Sequence, residues 1–283
     1  MNGYNYIISK QIQWARNHEI ALMGSKGKQG RPAYTQNLDD NLFEPLLLDT
    51  LQSFQEGDGN ELAGNPAKMQ AVHSSSALSV NIFQYWKSKK QVPAIAAACG
   101  LCNQTTKFSK NITFEVKYPI DARFQFSPNI DVVIHNSDSP YKVFAVECKF
   151  SEAYGGRSHA GIKKKYLDLD IWEDIPNLHE LALSISPDDH QFQYLHPAQL
   201  IKHILGLKKA FGKTGFRLLY LWYDVLGSAG ATHEVEISSF SEVAKLDNIH
   251  FHTLSYQELI IRLADNYRNK HKSYIEYITG RYL

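Results

Sequence analysis

Asp131, Glu147 and Lys149 stand in "NIDVVIHNSDSPYKVFAVECKFSE", residues 129–152, where two apolar runs flank a polar interruption. Ionisable side chains in such runs are costly unless they are paired or bound to a metal. The interruption, "NSDSP", has the Asn, Asp, Ser and Pro content of a turn. A turn centred near Ser139 sets Asp131 opposite Glu147 in an antiparallel hairpin, with Cβ atoms about 5 Å apart. Lys149, two residues on, shares their face. Two carboxylates this close repel unless one is protonated or a cation lies between them. A hard divalent ion such as Mg²⁺, with Mn²⁺ as a substitute, meets that need with oxygen ligands and retained waters. Lys149, while protonated, cannot ligate such an ion, but it can hold an attacking water or offset charge on a phosphoryl group. Metal-assisted phosphodiester hydrolysis is the chemistry these residue types imply. The plain alternative is a one-sided sheet whose solvent face carries unrelated charges.

The elements that must position these residues follow from periodicity. The first 22 residues read as a helix, and so do residues 41–55 through Leu42, Leu46, Leu47, Leu51 and Phe54. Pro66 suits the first turn of a helix over 66–87, and a short helix covers 93–99. "NITFEVKYPI" alternates with a period of two and predicts a strand, followed by the two strands of the hairpin. Residues 151–195 read as an irregular insertion. "HPAQLIKHILGLKKAFG" is an amphipathic helix over 197–211, and "FRLLYLWYDVL" has the continuous apolar character of a buried strand over 216–225. A helix near 238–246, a strand "IHFHTL" and a C-terminal helix with a Ser255/Glu258 capping box complete the order. The expected fold class is α/β, a central mixed sheet flanked by helices. The expected organisation is a single domain over 1–283, with an N-terminal helical extension over 1–60 and the insertion at 151–195.

Composition bounds the alternatives. The 30 basic and 29 acidic residues nearly cancel, so a polyanion-binding surface must be local. No apolar run approaches the roughly 20 residues of a membrane-spanning helix, and the N-terminal residues lack the apolar centre of a secretory signal. Three cysteines in 283 residues argue against a disulfide framework, and a reducing cytoplasmic setting is expected. Cys99 and Cys102 form one CxxC, half of what a structural zinc site needs. The simpler reading is small residues closing a helix at Gly100.

Asp131 followed by Glu147-Cys148-Lys149 on the next strand, with a helix before the strands and a helix and strand after them, resembles the PD-(D/E)xK nuclease superfamily of restriction-endonuclease-like proteins. The resemblance covers roughly residues 60–226, and "GDGNEL" and "HSSSALSVN" also look like stretches of restriction-endonuclease-like bacterial proteins. It departs at the "PD", because Pro128 precedes Asp131 by three positions. It implies a Mg²⁺-dependent endonuclease of restriction or defence type acting on nucleic acid, most simply DNA, and a homodimer if both strands are cut. A nucleic-acid-binding protein on the same scaffold, with little catalysis, is the alternative. The resemblance also implies a further acid from the helix before the strands. Glu61 is the candidate third ligand and catalytic acid, and Glu115 is its rival. A second tripeptide, Glu115-Val116-Lys117, lacks a preceding hairpin acid.

Further residues could contact nucleic acid. Arg157, Lys163, Lys164 and Lys165 follow the hairpin in a Gly-containing stretch suited to phosphate-backbone contacts, with Tyr154 and Tyr166 as stacking candidates. Gln199 and His203, four apart, share a helix face. The resemblance puts a Gln and a Tyr at such spacing in one branch, and here His203 replaces the tyrosine. His73, Ser74 and Ser75 either reach phosphate oxygens or serve a helix crossing.

Overall fold

The computed structural model describes residues 2–24, 31–125, 127–156 and 159–283. In chain order the elements are α1 (Gly3–Asn17), α2 (Leu48–Glu56), α3 (Ser75–Ser88), α4 (Val92–Ala98), β1 (Ser109–Lys117), β2 (Asn129–Asn136) and β3 (Val143–Lys149). They continue with β4 (His159–Ala160), α5 (Lys164–Leu167), α6 (Pro176–Ser184), β5 (Asp188–Asp189), α7 (Pro197–Phe211) and β6 (Phe216–Trp222). The last are α8 (Ser228–Leu246), β7 (Phe251–Ser255), α9 (Tyr256–Tyr267) and α10 (Lys272–Tyr282).

A five-stranded mixed sheet in the order β1-β2-β3-β6-β7 organises the molecule. β1, β2 and β3 are antiparallel neighbours, whereas β3, β6 and β7 run parallel. The α/β class expected from the pattern is the one observed. Strand side chains alternate between faces. Phe144, Val146 and Cys148 of β3 join Leu219 and Leu221 of β6 in one core with α3, α4, α9 and α10. Val143 and Ala145 join Phe216, Leu218 and Tyr220 in a second core under α6, α7 and α8. By that alternation, Glu147 and Lys149 project on the α7 side.

Several boundaries differ from the sequence reading. The helix expected from Pro66 begins at Ser75, because the Ser74 side chain accepts from Ala77 N and fixes the start there; residues 68–70 form only a 3₁₀ turn. The helix expected over 41–55 covers 48–56, three residues beyond Pro45, and the first helix stops at Asn17. The helix near 238–246 extends back to Ser228. Its "SAGATHE" start has few large apolar residues, and Gly230 lies so close to the Val225 carbonyl that a Cβ there would sit 1.9 Å from the oxygen. The C-terminal helix is two, α9 and α10. The 151–195 insertion carries α6 and a small β4–β5 pairing.

Among the described residues of the N-terminal 60, both α1 and α2 contribute to the main core. Ile7, Leu42 and Phe54 join the cluster on the α3 side of the sheet. The buried Arg281 of α10 donates to the Gln11 side chain and the Asn41 carbonyl, tying the two ends of the chain together.

Candidate active site

Three neighbouring strands set three acids in a row. The β2–β3 ladder pairs Val132 with Val146 and Ile134 with Phe144, and one step further it brings Asp131 opposite Glu147, the register expected from the turn. The β1–β2 ladder pairs Phe114 with Val132 and Val116 with Ile130, leaving Glu115 beside Asp131. Glu115 has φ +53°, a left-handed conformation uncommon for a residue with a side chain. Such strain costs of order 1–3 kcal/mol and persists where surrounding structure imposes it. Gly57 permits it: a Cβ there would lie 3.3 Å from the Glu115 side chain.

Glu147 is 1 % exposed, which removes the reading of a solvent-facing strand. Lys149 Nζ lies 2.6 Å from its Oε1, and His203 Nε2 lies 2.8 Å from its Oε2. Neither contact is aligned as a hydrogen bond, so both buried oxygens lack a well-directed donor. Lys149 also donates to Gln199 Oε1 at 3.0 Å. α7 delivers Gln199 and His203 on one face, as their spacing implied. Burial alone would raise the Glu147 pKa, but Lys149 and His203 hold it down at about 2. The neighbouring acids go the other way. Burial and the Glu147 charge push Asp131 well above the usual carboxylate range, although its Oδ2 accepts from Cys148 N at 2.7 Å. Burial, then Glu61 and Glu147, push Glu115 up to about 7. Burial disfavours the Lys149 ammonium, yet Glu147 keeps it charged and raises its pKa.

The donor set is three carboxyl groups offering hard oxygen, with one lysine ammonium beside them, and so fits a divalent ion in kind. Among the described residues, no three His, Cys, Asp or Glu side chains already close around a common point as metal ligands.

The family model described as "Restriction Endonuclease associating with ARP" matches residues 9–283. The chain belongs to that family. No curated protein and no solved structure matches it.

Within this restriction-endonuclease-like chain, the candidates from sequence fall into three groups. Asp131, Glu147, Lys149, Gln199 and His203 come together around one buried carboxylate. Glu61 lines a cleft with Lys68 and is raised in pKa by burial, and its charge is felt at Glu115 ahead of that of Glu147. By strand register Glu115 is the acid next to Asp131. Lys117 of the competing tripeptide is spent in an exposed bridge to Asp58 at 2.8 Å. Lys163 is exposed and close enough to Lys202 to depress its pKa, behind burial. Lys164 is exposed on α5, and Lys165 lies over the Phe124 ring, 4.3 Å from its centroid. Arg157 lies outside the described residues.

The stacking expectation for Tyr154 and Tyr166 is not met. Both are buried, and the Tyr154 hydroxyl donates to the Tyr223 carbonyl at 2.8 Å. Cys99 caps α4 ahead of Gly100, which has φ +73°, as the simpler reading of that pair required.

Two site residues escaped the sequence reading. Glu152, in a 3₁₀ turn just after β3, has a pKa raised by burial and partly restored by Lys149. Lys202 of α7 has its pKa lowered by burial but feels the Glu147 charge. No motif marks either one. Lys202 could have been found by noting that it lies between Gln199 and His203 on the same helix.

Proposed function

We propose that this chain is a Mg²⁺-dependent nuclease that hydrolyses DNA phosphodiester bonds in a restriction or defence role. The observation that carries the proposal is the buried, ionised Glu147 held between Lys149 and His203, with Asp131 and Glu115 on the adjoining strands. Asp131, Glu147 and Glu115 would hold the metal, with Glu61 as an outer acid. A bound divalent ion would polarise the phosphate and lower the pKa of a coordinated water. Burial and neighbouring carboxylates raise Asp131 and Glu115 when no cation is near, and positive charge would favour their ionised, ligating forms. Lys149 stays charged and is anchored at two oxygens, Glu147 Oε1 and Gln199 Oε1, so that it can orient a water and offset phosphoryl charge. His203 positions the second Glu147 oxygen. Lys163 and Lys202 supply phosphate-backbone attraction on the α7 side.

The test is incubation of purified protein with plasmid and oligonucleotide DNA in Mg²⁺, in Mn²⁺ and in chelator. Metal-dependent cleavage that disappears in Asp131→Asn supports the reading. Equal cleavage by wild type and variant ends it. The competing reading, a nucleic-acid binder without catalysis, draws on Glu147 being already neutralised by Lys149 and His203; DNA binding with no cleavage under any metal condition selects it. The family description further suggests association with a partner called ARP. No helix among the described residues is long and apolar enough to cross a membrane. A symmetric homodimer would allow both strands to be cut.

A further inference from the structure

Beside the acid row lies a cleft of about 610 Å³. Its lining includes the acids Glu61 and Glu152 together with Tyr4, Tyr34, His73 and Ser75. The cleft is assembled from distant segments: α1 brings Tyr4, the strand-like stretch before residue 35 brings Tyr34, and the lead into α3 brings His73. Both tyrosines are only partly buried. Each meets the His73 ring edge to face, with centroids 5.7 and 6.3 Å apart. Neither tyrosine stacks flat on the imidazole. Burial pushes His73 down to about 4, so the ring is neutral near pH 7 and can donate or accept a hydrogen bond. Exposed Arg31 stacks over Tyr34, 5.0 Å from the ring centroid.

Resting on the nuclease reading, we infer that this cleft receives one unpaired base of the substrate strand, so that the enzyme acts on single-stranded or locally opened nucleic acid. Size is the first argument. The volume falls in the range of small-ligand sites, about 300–1,000 Å³, whereas a duplex, whose major groove alone is about 12 Å wide, cannot enter. Charge is the second. Two carboxyl groups, Glu61 and Glu152, share the lining with a single lysine, Lys68, so the cleft offers a bare anion little attraction and favours an uncharged occupant with hydrogen-bonding groups. A nucleobase meets both conditions. Aromatic walls are the third: a base face stacks on tyrosine with little sequence preference, and Arg31 lies where it can follow the attached phosphate. The shared acids set the direction. Glu61 acts on Glu115, and Glu152 acts on Lys149, so a base seated here leaves its backbone beside the Asp131–Glu147 pair.

The experiment is fluorescence anisotropy in chelator, using a labelled single-stranded 12-mer and a blunt duplex of the same length. Tyr4→Ala and Tyr34→Ala should each weaken single-strand binding by roughly 5- to 100-fold, the scale of one lost base stack. Duplex binding should change little. Tyr4→Phe should stay within about threefold of wild type, because the ring face is kept, and melting curves identify any variant that fails to fold. Unchanged single-strand affinity in both folded alanine variants overturns the inference, as does an equal loss for duplex and single strand. The cleavage assay separates the two readings. Metal-dependent cutting with unaltered binding in the tyrosine variants rejects the base cleft and keeps the nuclease. Weakened single-strand binding without any cutting keeps the cleft and rejects the catalysis.

Discussion

Replacing Lys149 with methionine keeps the stem and removes the charge, and the structure fixes what should follow. The Lys149 side chain is 14 % exposed, while its partner Glu147 is 1 % exposed. Removing one member of a buried pair costs about 3–5 kcal/mol, with His203, 2.8 Å from the other oxygen, limiting the loss toward the lower end. The burial of Glu147 makes this strand lysine costly to remove. Without Lys149 the restraint on the Glu147 pKa, now about 2, weakens and the carboxylate row drifts toward its protonated forms. A divalent ion would then replace the lost charge. Binding at 100 times Kd stabilises by about 2.7 kcal/mol, so Mg²⁺ should recover much of the melting temperature of Lys149→Met, and more than it adds to wild type. Cleavage should nonetheless fall by roughly 100-fold or more, the scale of one lost transition-state stabiliser. Lys117→Met is the control. Its bridge to Asp58 is exposed, and such bridges contribute about 0–1 kcal/mol, so stability and cleavage should hardly change. Thermal melts with and without Mg²⁺, combined with plasmid nicking rates, read all of this. If Lys117→Met lost as much activity as Lys149→Met, the choice of hairpin would be wrong.

Glu115→Gln should weaken Mg²⁺ binding by roughly tenfold or more, whereas Glu61→Gln should weaken it less; one lost carboxylate neighbour is on the order of 1.4 kcal/mol at that scale, and calorimetric titration ranks the two. Glu236→Ala removes a carboxylate that accepts from Gln193, Tyr194 and Leu195 N at 2.7–2.9 Å. It should cost about 3 kcal/mol or more, seen as a lowered Tm and faster amide exchange at those three residues. Burial depresses His196 and His252 to about 4 and His233 to about 3. Their unfolded pKa is about 6.5, so stability is fully present above pH 6.5 and is lost as the unfolded chain takes up protons between about 6.5 and 4. Denaturation midpoints measured from pH 8 to 4 should fall in that window, and His233→Gln, if it folds, should flatten the slope.

How much of this was legible depends on what each residue's placement requires. Asp131, Glu147 and Lys149 could be read because strand alternation and one polar turn are local signals, and together they set a register. The β1–β2 connection gives no such help. Residues 118–128 carry no two-residue turn signature, so the adjacency of Glu115 and Asp131 emerges only from the assembled ladder. The left-handed φ at Glu115 is equally silent, because Glu carries no preference for it and Gly57, which makes room, lies 58 positions earlier. Tyr154 misled for a related reason. Gly155 and Gly156 beside it signal an exposed loop, yet α1 begins with Gly3, and a Cβ there would sit 2.9 Å from the Tyr154 ring. The absent side chain at one end of the protein lets that ring be buried near the other wall of the site. Local chemistry thus announced the charged pair, while long-range packing decided which neighbours share it. Of the row, Glu147 has its pKa held down because Lys149 of β3 and His203 of α7 each approach one of its oxygens. Asp131 and Glu115 lack such partners, so burial and the neighbouring carboxylates raise both.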